Sequence, residues 1–307
     1  MDTKQTFYSN GKLLITAEYL VLDGAKAFAL PTKFGQNLII EEGDYQEIKW
    51  TSYDSDGSIW FEDEILFSEI TQPKNLEVES IKNTLIQILH EAYLLNPVFL
   101  NQEKGYKVIT QLSFPKKWGL GTSSTLINNI GQWLNINAFE LLNNSFGGSG
   151  YDIACAQNNH PITYQLKQGK PKVETINFLP NFTDNIYFVY LNKKQSSKTA
   201  VANYQKNKSS DIEKSVAKID KLTQEIIHAK NISSFAVALA KHEATMSYIL
   251  ETTTVKENLF SDFMGEIKSL GAWGGDFIMV VSEVNPVTYF ASKGFTTIIP
   301  YKEMILE

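Results

Sequence analysis

Four stretches of the chain hold residue types able to do chemistry. Pro115-Lys116-Lys117-Trp118-Gly119-Leu120-Gly121-Thr122-Ser123-Ser124-Thr125 sets two glycines and a hydroxyl run between a predicted strand and a predicted helix. Glycine lets a backbone approach a ligand closely, and the first N–H groups of a helix lack intrahelical partners. Such a junction can hold an anion. The same residues also read as an ordinary turn with serine and threonine caps. They do not form a Walker A loop, because no Gly-Lys-Ser/Thr closes them, and the third glycine of a dinucleotide fingerprint is missing. Gly147-Gly148-Ser149-Gly150-Tyr151-Asp152-Ile153-Ala154 puts Asp152 in the first turn of a predicted helix, where the dipole favours a carboxylate with or without a chemical task. Gly271-Ala272-Trp273-Gly274-Gly275-Asp276 is flexible backbone, or a tight turn, running into an apolar strand. Asn10-Gly11-Lys12 with Glu18-Tyr19 offers a cation and a carboxylate, although a lone lysine beside glycine is usually solvated.

Charge narrows what these stretches can bind. All 28 basic residues are lysine, so no arginine finger or bidentate guanidinium clamp acts in cis. The net charge of −6, with no basic block, points away from nucleic acid and anionic membranes. With 43% hydrophobic and 20% charged residues the composition is globular. Cys155 is the only cysteine, no apolar run approaches the ~20 residues of a membrane helix, and Met1–Gln5 lacks the apolar core of a secretory signal. The reading is a soluble cytoplasmic protein. His90, His160, His228 and His242 are scattered without metal-ligand spacing and read as surface or satisfied core, and Cys155 reads as helix packing.

The elements that must position these stretches mix strands and helices without strict alternation, which argues α+β. Strands are predicted over 13–22, 37–41, 47–53 and 106–112, and a hairpin over 161–178. Val78, Ile81, Leu85, Leu89 and Ala92 recur at helical spacing up to Asn96-Pro97, and a second helix runs near Ser123 to Leu134. Leu179 to Asn185, polar with one proline, is the expected domain boundary. Beyond it a strand is predicted over 186–191, helices over 211–229, 232–249 and 255–270, and a strand over 276–282. A short helix between Pro286 and Gly294 and a last strand over 296–300 complete the chain.

Taken in order, the four stretches resemble the GHMP kinases. Ser9 to Gly24 looks like the opening Pro-Gly-Lys-(x)n-Gly-Glu-His/Tyr segment, with Asn10 where the family has proline and Ala17 where it has glycine. Pro115 to Thr125 is similar to the central Pro-x3-Gly-Leu-Gly-Ser-Ser-Ala phosphate loop. Gly148 to Ala154 resembles the Ser-Gly-x-Asp segment of the mevalonate and phosphomevalonate branch. Gly271 to Asp276 resembles the closing Gly-Ala-Gly-Gly-Gly-Asp motif, with Trp273 in place of a glycine. Asn192 to Thr199 is similar to a Ser/Thr segment of phosphomevalonate kinases.

The resemblance implies a two-domain GHMP kinase fold, α+β, with an ATP-binding domain over 1–180 and a ferredoxin-like C-terminal domain over 181–307. It implies ATP and Mg²⁺ as cofactors and transfer of the γ-phosphoryl group to mevalonate or phosphomevalonate in isoprenoid precursor synthesis. A fold-retaining binding protein, a kinase for another hydroxylated metabolite and a diphosphomevalonate decarboxylase stand as alternatives. Carried over residue by residue, Gly119, Leu120, Gly121, Thr122, Ser123 and Ser124 would cradle the ATP phosphates. Asp152 would be the base and Lys12 the cation beside it. Glu18, Tyr19, Ser149, Gly150, Ser196, Ser197, Gly274 and Gly275 would face the acceptor, with Lys194 and Lys198 as further cations. Ser123 and Glu140 would serve Mg²⁺. The expected partners are ATP and a small anionic hydroxylated or phosphorylated metabolite, with no nucleic acid and no membrane, in a monomer or homodimer.

Overall fold

A computed structural model describes residues 4–74, 76–194, 197–208 and 211–306. The strands are β1 (Gln5–Leu14), β2 (Ala27–Tyr45), β3 (Glu47–Tyr53), β4 (Ile59–Leu66), β5 (Lys104–Leu112), β6 (Ile162–Lys167), β7 (Lys170–Thr175), β8 (Ile186–Tyr190), β9 (Glu266–Ser269), β10 (Phe277–Val281) and β11 (Ile298–Pro300). The helices are α1 (Phe67–Thr71), α2 (Ile81–Leu95), α3 (Thr122–Leu134), α4 (Ala138–Ser145), α5 (Tyr151–Gln157), α6 (Ser197–Asn207), α7 (Ile212–Ile227), α8 (Ile232–Leu250), α9 (Val255–Leu259), α10 (Val287–Ser292) and α11 (Tyr301–Met304). No described helix is long and apolar enough to cross a membrane.

Packing groups the chain into two units that interleave along the sequence. One comprises Met1–Gly11, Phe34–Lys116 and Leu120–Gln157, and the other comprises Lys12–Lys33, Lys117–Gly119 and Asn158–Glu307. In the first unit β3 pairs antiparallel with β4 and parallel with β5, and β5 pairs antiparallel with Gln36–Tyr45 of β2. The sheet is therefore mixed. Helix α2 starts at Ser80, whose side chain accepts from the Asn83 N–H, and it buries Leu85, Ile88, Leu89 and Ala92 at three- and four-residue spacing. These join Trp50, Val108, Ile127, Ile130, Leu141 and Ile153 in one core.

The inner face of α3 also carries a neutral polar network. Ser9 Oγ donates to Asn129 Oδ1 (2.7 Å) and accepts from Asn128 Nδ2 (2.8 Å), while Asn129 Nδ2 donates to Gln36 O (2.9 Å). Thr125 Oγ1 donates to Gln36 Oε1 at 2.8 Å. Helix α3 is thus registered on β1 and β2 by directional bonds as well as by apolar contact.

In the second unit an antiparallel sheet runs β11-β8-β10-β9. Its central strand β10 is buried along its length, as a strand covered on both faces must be. Val189, Ile267, Ile278, Val280, Phe260 and Phe290 form its core. Ala27–Ala29 of β2 pairs antiparallel with β6, and β6 pairs with β7.

The α+β reading holds, with corrections to individual elements. The strand expected over 13–22 ends at Leu14, and Leu20–Asp23 forms a 3-10 turn closed by Gly24 at φ 86°. The helix expected over 255–270 stops at Leu259, and β9 occupies 266–269 as an edge strand on β10. At Gly265 a Cβ would press on the Phe263 ring and the Val281 carbonyl, so glycine lets the chain turn into the sheet there.

Candidate functional site

Within the second unit, Gly119 is held from several directions. Lys12 Nζ donates to the Gly119 carbonyl at 3.0 Å. On the other side a Cβ at Gly119 would collide with the Asp276 carboxylate, and its φ of 69° is left-handed, so only glycine fits on both counts. Asp276 is pinned in turn: its N–H donates to Lys193 O (2.6 Å) and its carbonyl accepts from Leu191 N–H (2.8 Å) at the end of β8. Trp118 meets Phe277 edge to face, with 5.4 Å between ring centroids, and Tyr190 Oη donates to Lys117 O at 3.1 Å. Burial pushes the Tyr190 phenol up, and the nearby Asp276 charge adds to the shift. Gly274 is exposed and Gly275 buried in the turn before Asp276.

The residues following Lys12 enter a buried ionic cluster. Glu18 is 1% exposed and its carboxylate accepts from Lys268 Nζ, which is 0% exposed. Lys268 Nζ also lies 3.1 Å from Glu243 Oε2, within ion-pair range but off the direction of a hydrogen bond. His242 Nε2 accepts from the Ala17 N–H at 3.1 Å, which leaves the ring proton on Nδ1 when the imidazole is neutral. Burial pushes the Glu18 carboxyl up to about 7 despite the opposing pull of Lys268. Burial, with Lys268 beside it, holds His242 well below its usual value. The Tyr19 ring stacks on Tyr204 at 5.5 Å, and its hydroxyl accepts from the Trp273 N–H at 3.1 Å.

Sequence reasoning missed Lys268, Glu243 and the position of His242. A signal was present. His242 and Glu243 fall three and four residues after Leu239 and before Met246 on the buried face of α8, and Lys268 stands between Ile267 and Ser269 in a buried strand. Charged groups in the phase of a core need partners.

Within the first unit, Leu120 is buried and Gly121, at φ 102°, forms the N-cap of α3 without any side-chain oxygen over the helix end. Thr122 is half-buried and Ser123 exposed. Ser124 turns back instead, its hydroxyl donating to Gly121 O at 2.9 Å. Helix α5 packs on α3 and carries Asp152, half-buried, with Oδ1 accepting from the Ile153 N–H at 3.1 Å. Gln157 Nε2 donates to Asn128 Oδ1 (2.9 Å) and ties the far end of α5 to α3. Ser149 is half-buried beside buried Gly150, whose carbonyl accepts from the Ala154 N–H (3.1 Å) as α5 begins. Glu140 is exposed in the first turn of α4, which packs against α3.

The expected site residues thus fall into groups. Lys12 and Gly119 come together with Asp276, while Glu18 is drawn to Lys268 and Tyr19 to Trp273. Thr122, Ser123 and Asp152 lie on two helices packed against each other. Ser196 lies outside the described residues, as does the side chain of Ser197, whose backbone opens α6. Among the described residues no group of three or more His, Cys, Asp or Glu side chains is placed to hold a metal by itself. The oxygen donors at hand, the Ser123 hydroxyl and the Asp152 carboxylate, are hard ligands of the kind Mg²⁺ takes when phosphate oxygens and water complete its shell.

No protein-family model and no curated protein sequence matches the chain. Solved structures do. A mevalonate kinase from Methanococcus jannaschii matches with a TM-score of 0.71 at 16% identity, over 95% of each chain. A Streptococcus pneumoniae phosphomevalonate kinase in complex with phosphomevalonate and AMPPNP matches at 0.67 and 14% identity, over 98% of each chain. A Lactococcus lactis galactokinase complexed with galactose matches at 0.68 and 15% identity, over 94% of this chain and 88% of that one. At this level of identity the likeness is one of fold, and the chain has the GHMP kinase fold.

Proposed function

We propose that the protein is an ATP-dependent small-molecule kinase that passes the γ-phosphoryl group to mevalonate or phosphomevalonate. The observation that carries this reading is the N-terminus of α3, where a left-handed glycine caps the helix and supplies no side-chain oxygen to its first N–H groups. Those groups and the helix dipole suit the phosphates of a nucleotide, and in a chain without arginine they carry most of the anion binding. Phosphoryl transfer then depends on positioning and on neutralising charge. Asp152 is the base that takes the acceptor proton, and Lys12, fixed on the Gly119 carbonyl, is the cation that favours the ionised acceptor. Ser123 and Asp152, with Glu140 as a further carboxylate, are the residues that would hold Mg²⁺. The ion supplies charge neutralisation on the transferred phosphate.

The Tyr19, Ser149–Gly150 and Gly274–Gly275 segments face the acceptor in this reading, and the domain division at residue 180 belongs to the same proposal. The galactokinase likeness keeps sugars among the acceptors to test. The test is ATP consumption over mevalonate, phosphomevalonate, homoserine, galactose and a heptose phosphate. One acceptor should stimulate ADP release, and Asp152→Asn should lower that rate by about 10²–10⁴-fold. Unchanged turnover in Asp152→Asn defeats the base assignment. Tight nucleotide binding with no stimulation by any acceptor supports a binding protein that keeps the fold.

A further inference from the structure

The turn after β1 is strained and clamped at three successive residues. Ala17 and Tyr19 both take left-handed backbone angles, φ 65° and 61°. Residues bearing a Cβ pay for that conformation and keep it only where the surroundings over-determine it. Here each of the three residues has its own fastening. The Ala17 N–H donates to His242 on α8, the Glu18 carboxylate accepts from Lys268 on β9, and the Tyr19 hydroxyl accepts from the Trp273 N–H. Lys268 is itself fixed: Nζ donates to Ser269 O at 2.5 Å, and Glu243 Oε1 accepts from both the N–H (3.1 Å) and the hydroxyl (2.6 Å) of Ser269.

The two segments clamped in this way are the ones that grip Gly119. Five residues before Ala17 lies Lys12, donating to the Gly119 carbonyl; three residues after Trp273 lies Asp276, filling the space beside Gly119. A buried ion pair is a weak source of stability, because desolvation offsets most of the attraction, but in some proteins it fixes geometry, and here Lys268 Nζ donates to Glu18 and to Ser269 O at once. We infer that Lys268 is a positioning residue for phosphoryl transfer: by holding Glu18 it keeps the strained 17–19 turn in place, and with it the Lys12 and Trp273–Asp276 segments that fix Gly119. This rests on the kinase reading above. Lys268 is too deeply buried to touch either substrate, so it acts only through the turn.

The strain itself supplies the test. Glycine adopts φ near 65° without penalty, so Ala17→Gly removes the strain at one of the two positions and makes the turn depend less on the clamp. Lys268→Met should lower kcat/KM by about tenfold to a hundredfold, since a misplacement of about 1 Å can cost that much. Adding Ala17→Gly should recover at least half of the loss on a logarithmic scale, while Ala17→Gly alone changes kcat/KM less than about twofold. Thermal stability lost in Lys268→Met should stay lost in the double variant. No recovery, or wild-type kcat/KM in Lys268→Met, overturns the proposal. If Lys268→Met does not fold, Glu243→Gln with and without Ala17→Gly is read in the same way. If the wild type transfers phosphate to no acceptor, the kinase reading falls, and hydrogen exchange of the peptide spanning 15–22 decides the clamp. Protection lost in Lys268→Met and regained with Ala17→Gly upholds it. Unchanged protection overturns it.

Discussion

The two units solve one problem, burying polar groups away from water, in opposite ways. Behind α3 the first unit uses neutral hydroxyls and amides: Ser9, Gln36, Thr125, Asn128 and Asn129 satisfy one another at 2.7–2.9 Å. Behind the 17–19 turn the second unit uses two carboxylates, an ammonium and an imidazole. Among the described residues, the buried side-chain atoms without a hydrogen-bond partner include Glu18 Oε2, His242 Nδ1 and Glu243 Oε2, and none from the neutral network. A neutral network can be closed completely because hydroxyls and amides both donate and accept. Carboxylates only accept, and one lysine cannot serve two of them fully. The neutral network registers a helix and asks little of its surroundings. The ionic one holds a strained turn and leaves charge to be balanced by protons.

That difference sets the sizes of the effects expected on breaking each network. Lys268→Met strands two buried carboxylates and should cost about 3–5 kcal/mol in chemical denaturation. Asn129→Leu removes three hydrogen bonds from a neutral network, those with Ser9, Gln36 and Gln132, and should cost about 1–3 kcal/mol. A larger loss for Asn129→Leu than for Lys268→Met would reverse the comparison.

The pH response separates the networks more sharply. Burial raises the folded-state pKa of Glu18 from 4.5 to about 7. Between those values the folded chain holds a proton that the unfolded chain has lost, so this group's contribution to stability falls as pH rises and levels off above about 7.5. His242 is depressed below 6.5 and contributes the opposite slope up to that pH. The two partly cancel in the wild type. They separate in the difference between Glu18→Gln and wild type, because His242 is common to both. That difference should move in favour of the variant by on the order of 3 kcal/mol from pH 4.5 to 7.5. The corresponding difference for Asn129→Leu should be flat with pH. A flat line for Glu18→Gln would mean that Glu18 is ionised throughout.

Local chemistry made much of this molecule legible in its sequence. Gly119 and Gly121 announced the turn before α3, and Gly150 placed Asp152 at the start of α5. The 3–4 spacing of Ile81, Leu85, Leu89 and Ala92 announced α2, although the helix starts after Ser80 and leaves Val78 outside. Distance along the chain hid the rest. Glu18 and Lys268 are 250 positions apart, and pairing of that kind leaves no periodicity. The interleaving of the units was hidden as well, because 13–22 reads as one strand ended by Asp23-Gly24, whereas the unit changes at Lys12 and again after Lys33. Between 255 and 270, Val255, Leu259, Phe263, Ile267 and Leu270 recur at three- and four-residue spacing and read as one helix. The chain instead breaks after Leu259, and β9 buries its side chains against β10.

In the proposed function the glycine loop and α3 hold a nucleotide for transfer of its terminal phosphate to a small acceptor. The most direct measurement is ³¹P NMR of the 307-residue chain with ATP, Mg²⁺ and the acceptor that stimulates ADP release. The expected result is loss of the γ-phosphate resonance, growth of ADP, and a matching new resonance from phosphorylated acceptor. Stoichiometric inorganic phosphate with no phosphorylated acceptor, or ATP left intact with every acceptor, would contradict it.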